Sequence, residues 1–442
     1  MKVKINLKDL FLTVSVLTFY RMLLDYTYSS FISPTFFYMG HIFIPNIGKG
    51  IFSYFMMYVL FLCIPQKDSK YGQLLNLFFS FSIVPLLSFY WLADKDTNSM
   101  VLSCLFFLIM TLSFRNSSKP IVLKKSINYI KIIELIFYFY IFACIYLGIK
   151  RGGIDMRSLN LGSIYSLRSE YNGTGTISGY LLNWCTKAFF PTLTTYYLFT
   201  NHKFKVLIAI LMQFFLFMCY GSKAYLLSIF LLVVIYYLIK HVTKYPSYIN
   251  MLIQSFFGLL LIPIFFTKYN NILGKLGVLF RDVYGLRMFF EPSRIKFGYF
   301  SFFNYYPKLY FSEGIIGKLL NLHYPYDKPI GFIITKFMDG SKAVSNSNTG
   351  IISDSYAQLG IFGIILIAFL TATTFYFIVG VTNNLPNYFV LSALVNPIAL
   401  LNDNAFLTNI LTHGWFIIII MFLLFEGALN SKISGVNNIV IE

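Results

Sequence analysis

Apolar runs of helix length alternate with short polar connections along most of this chain. The runs fall near residues 9–28, 46–64, 74–92, 98–114, 129–149, 180–200, 206–221, 225–239, 251–267, 361–379, 388–401 and 406–425. All but one are long and continuous, about the length at which a helix crosses a bilayer. A membrane β-barrel would instead show short strands of alternating polarity. The pattern predicts an all-α, polytopic integral membrane protein with about twelve transmembrane helices. The run at 388–401 is short and interrupted by Asn396-Pro397.

Two polar stretches break the rhythm. They divide the chain into helices one to five (1–149), a first loop (150–180), helices six to nine (181–267), a large loop (268–356) and helices ten to twelve (357–442). Lys and Arg concentrate in alternate short connections, among them Arg115, Lys119, Lys124 and Lys125. Cytoplasmic loops carry that excess, so both termini are expected inside and both long loops outside. Lys2, Lys4 and Lys8 precede the first run without a small-residue cleavage site, which reads as an uncleaved helix. Within the large loop, 279–290 reads as a short amphipathic helix and 297–311 as an aromatic stretch suited to the interface. Residues 343–348 read as a loop, and 353–358 lead into the next helix.

Composition strengthens this picture. Hydrophobic residues make up 57% of the 442 and charged residues only 12%, with a net charge of +18. Soluble domains carry about 25% charged residues. The cations lie in loops, with no basic domain to dock on a duplex, so nucleic acid is not an expected partner. Cys63, Cys104, Cys144, Cys185 and Cys219 all lie in apolar runs, which argues against a disulfide framework or a zinc site. Gly314–Lys318 lacks the spacing of a nucleotide-binding loop. No carboxylate cluster has metal-ligand spacing, and no cofactor is expected. The charges within or beside apolar runs are Arg21, Glu134, Lys187 and Asp403, and each lies near a run's end or within snorkelling reach. Lys187 is nearest mid-helix, where it could face a cavity for an anionic group.

Several stretches resemble the bacterial polysaccharide repeat-unit polymerases, the Wzy-type O-antigen polymerases. They are Leu286-Arg287-Met288-Phe289-Phe290-Glu291-Pro292, the run ending in Tyr305-Tyr306-Pro307, Phe311-Ser312-Glu313-Gly314-Ile315-Ile316-Gly317, and 348–363, which contains Ser353-Asp354-Ser355-Tyr356. Gly221-Ser222-Lys223 and Leu411-Thr412-His413-Gly414 are also similar, as is an Arg followed eleven positions later by Gly: Arg151 with Gly162, Arg168 with Gly179, Arg287 with Gly298.

The resemblance implies a GT-C-like, metal-independent glycosyltransferase of the bacterial inner membrane. It would act at the periplasmic face, moving a growing glycan from undecaprenyl diphosphate to a sugar hydroxyl of another carrier-linked repeat unit. The departing diphosphate needs cations that hold its charge, and the guanidinium fork suits phosphate oxygens. Arg151, Arg157, Arg168, Arg281, Arg287 and Arg294 supply such groups, with Lys223 as a point charge and Tyr356 beside them; each cation could equally be solvated or lie at an anionic lipid headgroup. A base for the acceptor hydroxyl could be Asp354, Glu291, Glu170 or His323. Their structural alternatives are a helix cap for Asp354, an ion pair with Arg287 or Arg294 for Glu291, and a turn for His323. Tyr305, Tyr306, Tyr310, Tyr324 and Tyr326 could stack on sugars or pack the loop against the bilayer surface. Besides the lipid-linked oligosaccharide and the bilayer, a chain-length regulator is a possible partner. An O-antigen ligase, joining glycan to lipid A–core, shares this layout. A lipid-linked oligosaccharide flippase would instead favour midplane charges and broken helices.

Overall fold

The computed structural model describes residues 7–65, 69–114, 128–159, 177–242, 272–340 and 346–439. Among these the protein is helical, with no strand. Five helices are long and apolar enough to cross a membrane: Lys70–Leu92, Tyr129–Arg151, Lys203–Tyr220, Lys223–His241 and Ile351–Val381. Ile47–Cys63, Thr97–Ser113, Asn387–Leu400 and Trp415–Asn430 are apolar but shorter. This is the build of a helical membrane protein. The run expected at 251–267 lies outside the described residues.

The chain forms two compact units, one of residues 1–117, 244–375 and 398–406, the other of 118–243, 376–397 and 407–442. In the first, helix Lys70–Leu92 is the axis. Every side chain from Tyr71 to Tyr90 is buried, so the helix has no lipid-facing stripe. Helices 7–39, Ile47–Cys63, Thr97–Ser113 and 272–303 pack around it. Ring contacts lock it to 272–303: Phe81 stacks on Phe289, and Phe89 meets Phe297. These contacts advance together along both chains, so the two helices run parallel here.

Residues 272–303 correct two expectations. The amphipathic helix at 279–290 and the start of the aromatic stretch at 297–311 are not separate surface pieces. They belong to one continuous helix, and 289–303 are buried apart from the half-buried Gly298 and Ser301. Its aromatic residues serve the protein's interior.

Prolines shape the long helices in a regular way. Among the described residues four helices widen into π turns, at Tyr28–Ile32, Phe79–Ile83, Cys185–Phe189 and Arg281–Phe290, each ending two residues before a proline (Pro34, Pro85, Pro191 and Pro292), whereas the π turn Thr408–Thr412 has no proline there and Pro397 lies in Asn387–Leu400 without one. A proline in mid-helix lacks an N–H and crowds the carbonyl four residues back. The π turn relieves the clash by letting the residue before the proline bond five residues back, as Val84 does to Phe79 O and Glu291 to Leu286 O. Carbonyls left short of a donor beside a proline take one from elsewhere, as Ser80 O does from the Tyr20 hydroxyl at 2.9 Å.

Helix Ile351–Val381 is broken at Leu359 and Gly360, where Gly360 takes φ 62° and ψ −137°. Before the break all side chains are buried except Tyr356, which is half-buried. After it Ile361, Phe362, Ile365 and Phe369 are exposed.

The second unit gathers helices Tyr129–Arg151, 177–199, Lys203–Tyr220, Lys223–Val242, Asn387–Leu400 and Trp415–Ile439. Inside it Lys187 Nζ lies 2.8 Å from His413 Nε2, and His413 Nδ1 lies 3.1 Å from Asn409 Oδ1. An ammonium can only donate, so Nε2 accepts and Nδ1 carries the proton.

Candidate functional site

The prolines of the first unit prepare a polar site in an apolar interior. Pro85 has no N–H to offer Phe81 O, and Pro292 has none to offer Met288 O. One side chain serves both: Asn402 Nδ2 donates to Phe81 O at 2.6 Å and lies 3.4 Å from Met288 O. Its Oδ1 accepts from Lys296 Nζ at 2.6 Å, and Lys296 also donates to Ser82 Oγ at 2.9 Å. Lys296 is 1% exposed. Among the described residues no carboxylate lies within ion-pair distance of it. The backbone beside Asn402 holds the start of the broken helix, since Ile351 N donates to Leu401 O at 2.8 Å. Gly350, at φ 68°, lies so close to the Asn402 carbonyl that no side chain fits there.

Asn402 therefore brings together 286–292 and 348–363. Arg287 adjoins Met288. It is exposed and makes no ion pair among the described residues. Asp354 is buried on the half-helix that starts at Gly350 and accepts from Gln358 Nε2 at 2.9 Å. The other end of the same amide, Gln358 Oε1, accepts from Phe311 N at 2.7 Å. Leu309 N and Tyr310 N bond to Ala357 O and Gln358 O, carbonyls freed by the helix break. Lys308 lies beside the break, donating to Phe303 O at 2.7 Å, with Nζ 3.6 Å from the centre of the Tyr356 ring. Burial pushes its ammonium down to about 8, although the carbonyl and the ring favour the charge. Tyr356 itself donates to Asn304 Oδ1 at 2.6 Å.

Other expected residues have different company. Glu291 is buried against Arg294, which donates to its two oxygens at 3.0 and 2.9 Å, and against His41 Nε2 at 2.9 Å. Arg294 also reaches Asp339 at 2.7 Å. The ion-pair alternative for Glu291 is what the fold adopts, and Arg294 is occupied by carboxylates. Arg281 pairs with Asp282 at 2.8 Å and lies over the Phe36 ring. His323 is exposed in the irregular connection before Tyr324. Gly298 packs inside its helix against Met338. In the second unit Arg157 pairs with Asp155 at 2.7 Å and holds that carboxyl below its usual range. Arg151 and Lys223 are half-buried there. Arg168, Glu170 and Gly162 lie outside the described residues.

Arg21 departs from the snorkelling expectation. It is fully buried, pairing with Asp25 at 2.9 Å and donating to Ser53 Oγ and Leu87 O. Asp25 also accepts from Tyr54, Ser88 and Trp91. Lys296, Asn402, Gln358, His41 and Asp25 were not singled out from sequence. The available signal was the prolines at 85 and 292, which require a buried donor near each.

No protein-family model, curated protein or solved structure matches this chain.

Proposed function

We propose that the protein is a membrane glycosyltransferase of the repeat-unit polymerase kind. It transfers a growing glycan from undecaprenyl diphosphate to a hydroxyl of another carrier-linked repeat unit, at the periplasmic face of a bacterial inner membrane. In this reading Arg287 holds the departing diphosphate and Asp354 accepts the acceptor's proton, without a metal. The observation that carries it is the meeting of 286–292 and 348–363 at Asn402. Stretches about sixty residues apart in sequence, each alike to the family, share one polar centre. Glu291 and Arg294 form a buried ion pair in the same helix as Arg287.

A flippase is the second reading. It is favoured by the break at Leu359–Gly360 and by the buried Arg21–Asp25 pair, features that transporters use. An O-antigen ligase is the nearest enzymatic rival.

The test is a glycan profile from cells carrying Arg287→Ala or Asp354→Asn in place of the native chain, with membrane levels matched by immunoblot. The proposal expects lipid core capped with single repeat units. Polymer stranded on undecaprenyl carrier would point to a ligase, and single units held on the cytoplasmic face to a flippase. A full ladder from Arg287→Ala would remove that residue from the site.

A further inference from the structure

The segment between Phe303 and Ile330 sends its apolar side chains in two directions. Leu309, with Tyr324 and Tyr326, packs inward on Phe302, Phe303, Ile330 and Ile334. Ile315, Leu319 and Leu320 point out, 54%, 81% and 62% exposed. Three large aliphatic side chains on one short turn are a costly surface in water, each forfeiting about 1.5–3 kcal/mol of burial. The turn is built to hold them there. Gly314 takes φ 99° and Asn321 φ 50°. Leu320 N bonds to Ile316 O and Leu322 N to Gly317 O, both at 2.9 Å. A Cβ on Gly317 would run into the Ser312 carbonyl.

Its level along the nearest membrane helix is set by hydrogen bonds. Tyr310 N and Phe311 N are fastened to Gln358, just before the break. Just after it, Ile361 and Phe362 are 57% and 63% exposed, and 361–381 is the length a bilayer needs, about twenty residues. Lipid contact thus begins where this segment is tied on. Lys318 sits among the leucines and Tyr310 is exposed at the same level, a mixture that suits the headgroup boundary.

We propose that residues 314–322 are an interfacial anchor, with Ile315, Leu319 and Leu320 among the upper acyl chains and Lys318 at the phosphates of the same leaflet. The anchor holds residues 309–311, and through Gln358 the Asp354 carboxylate, at a fixed depth beside the lipid surface. It assigns the exposed Tyr310 ring to the bilayer interface.

The test places tryptophan at Leu319→Trp or Leu320→Trp in the full chain, in phosphatidylcholine nanodiscs made with ordinary lipid or with lipid brominated near the top of the acyl chain. Both positions are exposed, so neither change disturbs the core. The parent protein supplies the background from Trp91, Trp184 and Trp415. Bromolipid should quench most of the added emission at both positions and spare Asp327→Trp, a control on a polar turn. Emission quenched by aqueous acrylamide instead would overturn the anchor. So would emission shielded from both quenchers, which would mean that a second copy or another protein covers the patch.

Discussion

Lys296 Nζ reaches Asn402 Oδ1 at 2.6 Å inside the first unit, and the other end of that amide takes up the Phe81 carbonyl at 2.6 Å. The lysine thereby fixes which end of the Asn402 amide faces the π turns. An ammonium cannot accept, so the oxygen must turn toward it and the NH2 toward the carbonyls. Two prolines, one lysine and one asparagine form a single polar unit within an apolar interior.

Asn402→Leu should be among the most damaging substitutions in the chain. It removes the donor for Phe81 O and Met288 O and the acceptor for Lys296. Each buried group left unmade costs about 1–3 kcal/mol, so a loss of about 3 kcal/mol or more is expected, read from denaturant or thermal unfolding in detergent micelles. Adding Pro85→Ala should recover part of the loss, because an alanine there restores the N–H that Phe81 O lacks. Strict additivity of the two changes would disprove this link.

Lys296→Met should be milder. Methionine fills similar volume without a charge to bury, and replacing a buried charged group by an apolar side chain is often tolerated. What remains is an Asn402 oxygen without its donor, for about 1–3 kcal/mol. Unfolding measurements that rank Lys296→Met below Asn402→Leu in stability would contradict the arrangement.

Gly360→Ala tests the helix break. Its backbone, φ 62° and ψ −137°, lies where only glycine is comfortable, and forcing a Cβ into such a region costs about 1–3 kcal/mol. A helix that straightened to relieve the strain would reclaim the carbonyls of Ala357 and Gln358 and release 309–311. Faster tryptic cleavage after Lys308, with a lowered melting midpoint, is the expected outcome.

Lys308 predicts a pH dependence of defined sign. Its folded pKa, about 8, lies below the usual value for lysine, about 10.4, so the unfolded chain binds its proton more tightly. Stability should rise as pH climbs from about 8 to about 10, where the folded protein has already lost this proton, and the penalty should be full below 8. The difference in melting midpoint between wild type and Lys308→Met should change across that window. A difference that stayed constant from pH 7 to 10 would show that the ammonium pays no burial penalty.

The helical architecture was legible because hydrophobic run length is a local property. Runs at 46–64, 98–114 and 129–149 became helices close to those bounds. The stretch 272–303 was harder. Its charges, Lys275, Arg281, Asp282, Arg287, Glu291, Arg294 and Lys296, lower its hydropathy and suggest solvent. In the fold Glu291, Arg294 and Lys296 are buried, and they are satisfied by His41, Asp339, Ser82 and Asn402 from elsewhere in the chain. Nothing near them in sequence announces these partners. Asp354 and Arg287 drew attention as charges in the two polar stretches that interrupt the apolar runs. Gln358, which ties Asp354 to Phe311, could not, since a glutamine has no distinguishing local signal.

The chain's order of residues by itself determined where helices form and where they are strained. A proline at 85 or 292 must orphan a carbonyl four residues back, whatever surrounds it, because that follows from the pyrrolidine ring alone. Tertiary structure decided how the strain was relieved. Both carbonyls turned to one asparagine more than a hundred residues beyond the nearer proline, and a lysine set its orientation. Hydrogen bonds between distant segments depend on three-dimensional approach, and no local pattern encodes it.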